Sequence, residues 1–448
     1  MTTTHTPGHR TRSRLAAVVA TVGVLALSLG SSSTASADQV SDGLWYYTAF
    51  HVQAAHDAGF TGAGVTIAVI DDQLYPGLPE FVGADIVPQP ALGCKDLRGN
   101  PIPTTSADLA AIHGTNVTAL IVGSGVGYGG TRGVQGVAPK AKVLFFSTGS
   151  GSADNKNHNT SCESFDGNPV AKAIVAAVAA GAQIISISQG GGDSPELAAA
   201  VAGALRQGVV VVSGLSNTLV DEYRQFPGQS NGVVGVQAID SSGNIQTTDG
   251  APNVNPATKV AGPGVGVLNQ GGETSKSWQS QSIGDGTSFA TPVVAGFLAL
   301  VKQKYPKATG NQLIQTLVHN TGAGNHMPSL DASNKLGYGV VSVTSMLEVD
   351  PTTYPDVNPI VSTVAGASPT AQQIAGKPTA SPSPTVSARA TGAAGATGSS
   401  AAPPGWLLPV LVGGGIVLLL VILAIVLIIV FATRRARRTG QSSDRPDC

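Results

Sequence analysis

The stretch that decides the fold reads VTIAVIDD and occupies residues 65–72. Further short runs rich in β-branched residues follow it at residues 143–146, 184–188, 209–212 and 233–239. Continuously apolar runs of this length are typical of strands that are buried on both faces, as in parallel sheets. Helical patterns alternate with these runs at residues 107–122, 169–180, 194–207 and 288–305. The alternation predicts an α/β fold, a doubly wound and mostly parallel sheet with helices on both faces.

Composition narrows the classes of function. Charged residues make up 11% of the 448 residues, and the formal net charge is −1. A chain with so little net charge shows no sign of binding nucleic acid or of steering a strongly charged substrate. The sequence contains no cluster of metal-ligand residues, so we expect no metal and no cofactor.

The N-terminal residues have the pattern of a secretory signal. Basic residues precede an apolar run at 15–29, and an Ala-Ser-Ala sequence ends at Ala37. This order predicts a signal peptide over residues 1–37 that is cut after Ala37. A retained membrane anchor is the alternative, but a run of about 15 residues is short for a bilayer span.

The C-terminal region has the pattern of a membrane anchor. Residues 406–432 are predicted to form a transmembrane helix, because Leu407 to Phe431 is apolar and uncharged. Four arginines between 434 and 438 follow at once in the predicted cytoplasmic tail, residues 433–448, and such basic residues predict that the rest of the chain lies outside. Residues 350–405 are rich in Pro, Ala, Ser and Thr, which predicts a flexible linker. A buried core helix is the alternative interpretation of the apolar segment.

Three cysteines occur, of which Cys94 and Cys162 are predicted to lie outside the cell. Both fall in loop-like sequence, and an oxidising exterior favours a disulfide between them. Two free thiols are the alternative. Cys448 is left in the predicted cytoplasmic tail.

Three segments that carry reactive side chains follow in the order Asp, His, Ser. Asp71 ends the first strand, His113 opens a helical pattern, and Ser288 lies within Gly-Thr-Ser-Phe-Ala-Thr-Pro at 286–292. A serine hydroxyl is a weak nucleophile unless a base takes its proton and a carboxylate orients that base. Ser288 is therefore the candidate nucleophile, His113 the base and Asp71 the orienting acid. Taken singly, the serine could cap a helix, the histidine could be structural, and Asp72 could replace Asp71.

These segments resemble the signature blocks of the subtilase family of serine peptidases. The turn after Val209–Val212 resembles the one that carries the family's oxyanion-hole asparagine, here Asn217. The resemblance covers about residues 60–345 and implies a subtilisin-like peptidase domain at 61–349, preceded by an N-terminal extension at 38–60. It also implies substrate-binding residues, namely Ser188, Gln189, Gly190, Gly214, Leu215 and Ser216.

The sequence departs from the family pattern at a few positions. Asp72 adds a charge beside the proposed triad, and Asn116 stands where His or Ala is frequent. Leu215 and Ser216 replace smaller residues on the expected wall of the primary specificity pocket. From these two changes we expect a preference for small residues before the cleaved bond.

The order of segments is also similar to that of the mycosins, membrane-anchored proteases of type VII secretion systems. We therefore expect a serine endopeptidase on the outer face of the plasma membrane, with protein or peptide substrates and with secretion-channel proteins as candidate partners. The competing hypothesis is a protease-like structural component that stabilises a secretion complex with little or no catalytic activity.

Overall fold

A computed structural model describes residues 1–2, 42–96, 98–149, 165, 167–218, 226–272, 277–322 and 324–376. The predicted signal peptide, the predicted transmembrane helix and the predicted tail lie outside these residues. Within the described part of the chain, no helix combines the length and apolar character needed to cross a bilayer.

The strands and helices of the described residues follow one another in the alternating order that the sequence predicts. The strands are β1 (Thr66–Asp71), β2 (Asp85–Pro88), β3 (Ser124–Val126), β4 (Arg132–Gln135), β5 (Lys142–Ser147), β6 (Ile184–Ile187), β7 (Val210–Gly214), β8 (Val234–Ile239), β9 (Thr247–Thr248), β10 (Ala251–Pro252), β11 (Val260–Pro263), β12 (Val267–Gly272) and β13 (Ser277–Gly284). The α-helices are α1 (Trp45–Ala49), α2 (Val52–Asp57), α3 (Ile112–Val122), α4 (Pro169–Ala179), α5 (Pro195–Arg206), α6 (Thr287–Lys304), α7 (Gly310–His319), α8 (Val343–Glu348) and α9 (Ala371–Ile374).

Seven strands form one sheet in the order β11-β8-β7-β6-β1-β5-β2. Every neighbouring pair in it is parallel, which confirms the predicted α/β sheet. After β1 the chain forms the edge strand β2, returns to insert β5 between β2 and β1, and then crosses to β6 on the other side of β1. The carboxyl end of β1 is therefore a topological switch point, where open parallel sheets form their sites.

Alternate side chains of β1 enter two different cores. Ile67 and Val69 pack in the core that includes α3 and α6, whereas Ala68 and Ile70 pack in the core that includes α4 and α5. Successive strand residues point to opposite faces, so the same alternation directs Asp71 to the α3 and α6 face. We call this the site face of the sheet.

The N-terminal extension packs on the domain. Trp45 Nε1 donates to the Val265 carbonyl at 3.0 Å, and the Tyr46 hydroxyl donates to the Gln135 carbonyl at 2.5 Å. The Tyr46 side chain is fully buried. The described part of the N-terminal extension is thus an integral part of the domain.

The packed structure extends further toward the C-terminus than the sequence indicated. The sequence predicts a flexible linker from residue 350 onward, but the described chain continues through α9. Asn231 Nδ2 donates to the carbonyls of Ser362 and Pro369, at 2.9 and 3.0 Å. Ile360 is buried in the core and Ile374 packs against the core of α4 and α5, so both apolar and polar contacts hold this segment, which its composition does not reveal.

Candidate active site

Asp71 and His113 meet at the carboxyl end of β1. Nδ1 of His113 lies 2.7 Å from Oδ1 of Asp71. Asp71 is fully buried, whereas 28% of the His113 side chain is exposed. The backbone N–H of Asp72 also donates to Oδ1 of Asp71, at 2.8 Å. An aspartate in this position holds one ring nitrogen protonated and leaves Nε2 free to act as a base.

The surroundings of His113 favour its charged form. Burial lowers the pKa of His113, but the charge of Asp71, its hydrogen bond and the charge of Asp72 outweigh burial and raise the pKa to about 9. The imidazole is therefore neutral, and able to accept a proton, mainly in alkaline solution.

Ser288 is the second residue of α6 and faces the loop after β6. Its hydroxyl donates to the Ser188 carbonyl at 3.2 Å, and the Ser188 hydroxyl donates to the Ser288 carbonyl at 2.8 Å. The Phe289 ring lies 6.4 Å from the His113 ring, between centroids. The start of α6 thus lies between the base and Ser188, a predicted substrate-binding residue.

Asn217 lies beside the start of α6. Its Oδ1 accepts the backbone N–H of Thr287 at 2.9 Å. Its own carbonyl accepts from Thr248 Oγ1 and Asn253 Nδ2, at 2.9 and 3.0 Å. With Oδ1 occupied and the backbone fixed, the Asn217 Nδ2 donor has a defined direction.

That donor and a second one border the vacant side-chain position of Gly286. A Cβ added to Gly286 would lie 3.5 Å from Asn217 Nδ2 and 3.6 Å from the backbone nitrogen of Ser288, with no closer atom. Two N–H donors beside one open position make it the candidate oxyanion site, since such donors stabilise an oxyanion.

The predicted substrate-binding residues fall in two adjacent loops. Ser188 to Gly190 follow β6, while Gly214 ends β7. Leu215 is 2% exposed and packs over Gly228 and Gly235. Its side chain therefore lies in the interior, beneath the cleft.

Asp72 is held by two contacts that the sequence did not reveal. Its Oδ1 accepts from Gln189 Nε2, and its carbonyl accepts from the Ser147 hydroxyl. Burial and the charge of Asp71 raise the pKa of Asp72 well above its usual range, and the opposing effects of His113 and Gln189 only partly offset this rise. These partners are 75 and 117 residues away along the chain, so no local pattern could identify them.

Asn116, the other departure beside the triad, forms two hydrogen bonds to the backbone of β12. Its side-chain Nδ2 donates to the carbonyl of Gln270 at 2.9 Å, and its Oδ1 accepts from the Gln270 N–H at 2.7 Å. The pair of bonds fastens β12 to α3 and so supports the helix that carries His113.

Cys94 is buried, and its sulfur takes part in a disulfide. Cys162 lies outside the described residues, so the pairing of Cys94 with Cys162 stays a prediction.

Residues 62–339, which include all of the site residues named above, match the subtilase family. The chain belongs to the subtilase family. The expected family is thereby confirmed. The candidate site lies at the carboxyl end of β1, beside which the strand order reverses.

Relatives of this subtilase include peptidases from several bacteria. It is 27% identical to fervidolysin of Fervidobacterium pennivorans, over 71% of this chain and 46% of that protein. It is 30% identical to the thermostable alkaline protease of Halalkalibacterium halodurans, over 64% of this chain and 70% of that one. It is 29% identical to Mycosin-1 of Mycolicibacterium smegmatis, over 68% of this chain and 78% of that one. The chain thus spans about half the length of fervidolysin.

Solved structures share the fold. A crystal structure of MycP1 with its N-terminal propeptide removed aligns with a TM-score of 0.52 at 25% identity, over 70% of this chain and 99% of that one. The crystal structure of fervidolysin aligns with a TM-score of 0.53 at 24% identity, over 68% of this chain and 45% of that one. The subtilisin-like fold of this subtilase is therefore supported by structure as well as by sequence.

Proposed function

We propose that this subtilase is a serine endopeptidase whose triad is Asp71, His113 and Ser288. The observation that carries the proposal is the 2.7 Å contact between Asp71 and His113 beside the start of α6. Asp71 orients the imidazole, and His113 takes the proton of Ser288 when the hydroxyl turns from the Ser188 carbonyl toward Nε2.

The proposed reaction is acyl transfer to Ser288 and then to water. Attack of the serine oxygen on a peptide carbonyl places negative charge on the carbonyl oxygen. Asn217 Nδ2 and the Ser288 N–H supply the donors for that charge. His113 then gives its proton to the leaving amine as the C–N bond breaks. In the second half, His113 takes a proton from a water molecule that attacks the acyl carbon, and returns it to the Ser288 oxygen as the ester bond breaks.

A fluorophosphonate probe tests this function because it forms a covalent bond only with an activated serine. We expect the full-length chain to be labelled, and Ser288→Ala to lose the label. Ser194→Ala, at the start of α5 on the opposite face of the sheet, is the matched serine control and should still be labelled. A folded wild-type chain that remains unlabelled at every pH from 6 to 10 would sink the proposal.

We further propose that the protein acts outside the plasma membrane, anchored by residues 406–432, in type VII secretion. The similarity to Mycosin-1 and the predicted signal peptide and span support this role. Copurification of secretion-channel proteins with the full-length chain tests it. Recovery of the chain alone from solubilised membranes would contradict it.

One observation favours the structural alternative, in which the domain stabilises a secretion complex. The Ser288 hydroxyl is hydrogen-bonded to Ser188 rather than to His113. Under that alternative, Ser288→Ala leaves export intact while deletion of the domain abolishes it. Loss of export in Ser288→Ala alone would exclude it.

A further inference from the structure

A second carboxylate lies beside the proposed triad. Asp72 follows β1 and is 5% exposed. It contacts the ends of both strands that flank β1, through Ser147 on β5 and through Gln189 after β6. Gln189 is itself fixed, since its Oε1 accepts from Thr148 Oγ1 at 2.6 Å. The Asp72 backbone is therefore held by Ser147, and its carboxylate is held by Gln189.

The three ionisable groups are close together. One carboxylate oxygen of Asp71, one of Asp72 and one ring nitrogen of His113 all lie within 4.8 Å of one another. At such distances, with little water between them, each charge strongly affects the proton affinity of the others.

We propose that Asp72 is a positioning residue, held by Gln189 and Ser147, that acts through space to keep a proton on His113. This inference rests on the proposed function, because it concerns the base of the same triad. Asp71 orients the ring through a hydrogen bond, whereas the ionised form of Asp72 adds a second negative charge that stabilises the imidazolium. Because burial and Asp71 raise the pKa of Asp72, this charge is gained as the pH rises toward the range in which His113 itself titrates.

The charged groups around His113 support these two separate roles of Asp71 and Asp72. Asp71 and Asp72 both raise the pKa of His113, against the effect of burial. The first turn of α6 carries no ionisable side chain that faces the ring, and Asp285, just before it, is exposed and accepts the Gly266 N–H. The loop from Ser188 to Gly190 and the β12 residue Gln270 are uncharged.

The consequence is a shift of the working pH. Groups that interact this strongly titrate as a unit. With two carboxylates beside it, His113 loses its proton only at higher pH than it would beside Asp71 alone. Asp72 therefore moves the acidic limb of the activity profile toward alkaline pH.

The test compares Asp72→Asn with wild type in the full-length chain. Asparagine keeps the size and the acceptor oxygen for Gln189 but removes the charge. We expect the acidic limb of kcat/KM to move to lower pH by roughly one unit. At a given pH on the acidic limb, kcat/KM of the variant is then about tenfold higher than that of wild type. Asp85→Asn removes an exposed carboxylate at the opposite end of the sheet and should leave the limb in place.

A measurement without turnover separates this inference from the proposed function. In a Ser288→Ala background, NMR of labelled histidine, assigned by the signal lost in His113→Gln, follows the His113 proton directly. A lower His113 pKa in Asp72→Asn supports the inference even if no peptidase activity is found. An unchanged His113 pKa in Asp72→Asn overturns it, and Asp72→Ser gives the same comparison if the asparagine variant does not fold.

Discussion

The two helices that carry His113 and Ser288 begin differently from the two on the opposite face of the sheet. On the face opposite the site, α4 and α5 start with a proline in the first turn and with side-chain caps from Asn168 and Ser194. On the site face, α3 and α6 follow Ala111 and Gly286, and neither residue supplies a side-chain cap. The missing caps are specific to α3 and α6, because α7 and α8 pack in the same core and do have side-chain caps.

The difference shows where the chain lacks a stabilising local cap and thereby leaves a backbone donor open for the reaction. At α6, the N–H of Thr287 is satisfied by Asn217 from the end of β7, not by a neighbouring side chain. A conventional cap at position 286 would fill the space beside the Ser288 N–H. By taking its acceptor from a distant residue, the helix keeps that donor available for substrate.

The largest effect is expected at Asn217, where the cap and the oxyanion donor belong to one side chain. Asn217→Ala should lower kcat by roughly 10²–10³-fold, the range for loss of one oxyanion-hole donor, which was measured in subtilisin. Steady-state kinetics and thermal unfolding of the full-length chain would measure the two roles.

Asn217→Asp separates those roles. It keeps an acceptor for the Thr287 N–H but lacks the Nδ2 donor, so its thermal stability should exceed that of Asn217→Ala while its kcat stays low. An active Asn217→Asp variant would show that Asn217 serves only as the distant cap.

A pair of glycine substitutions sharpens the comparison between the faces. Gly286→Ala should fold normally, since the backbone is extended (φ 161°) and the added Cβ meets nothing closer than 3.5 Å. The methyl group occupies the space between the two donors, so we expect kcat to fall by roughly 10²-fold, comparable to loss of one donor.

Gly203→Ala in α5 is the matched control. Its nearest neighbour would be Arg206 Nη2 at 3.8 Å. Alanine in a helix interior should stabilise the domain by up to about 1 kcal/mol without changing kcat. Equal kcat values for Gly286→Ala and Gly203→Ala would break the assignment of the open position to the oxyanion.

The smallest effect is expected from an ordinary cap. Ser194 Oγ accepts the Leu197 N–H at 3.1 Å, so Ser194→Ala should lower the free energy of unfolding by about 1 kcal/mol and leave kcat unchanged. Ser194→Asp should retain the stability, because aspartate also caps helices. A marked loss of kcat in both variants would mean that the two faces are not functionally separate.

The elements that the sequence predicted best are the buried ones. The helix expected at 194–207 is observed at 195–206, and the strand expected at 233–239 is observed at 234–239. The hairpin of β12 and β13 was not predicted. Its residues are mostly polar, as in Asn269, Gln270 and Gln281, and it is stabilised by cross-strand pairing and by Asn116.

The sequence by itself determined the parallel sheet and the order of Asp71, His113 and Ser288, because apolar periodicity and short motifs are local properties of the chain. Strand alternation even predicts that Asp71, rather than Asp72, faces the helix that carries His113. Only the tertiary structure decided that Asn217 caps α6, and that Asp72 is held by Gln189 and Ser147. These contacts join residues 70 to 117 positions apart, and such pairings arise only when the ends of neighbouring strands are brought together in the folded sheet.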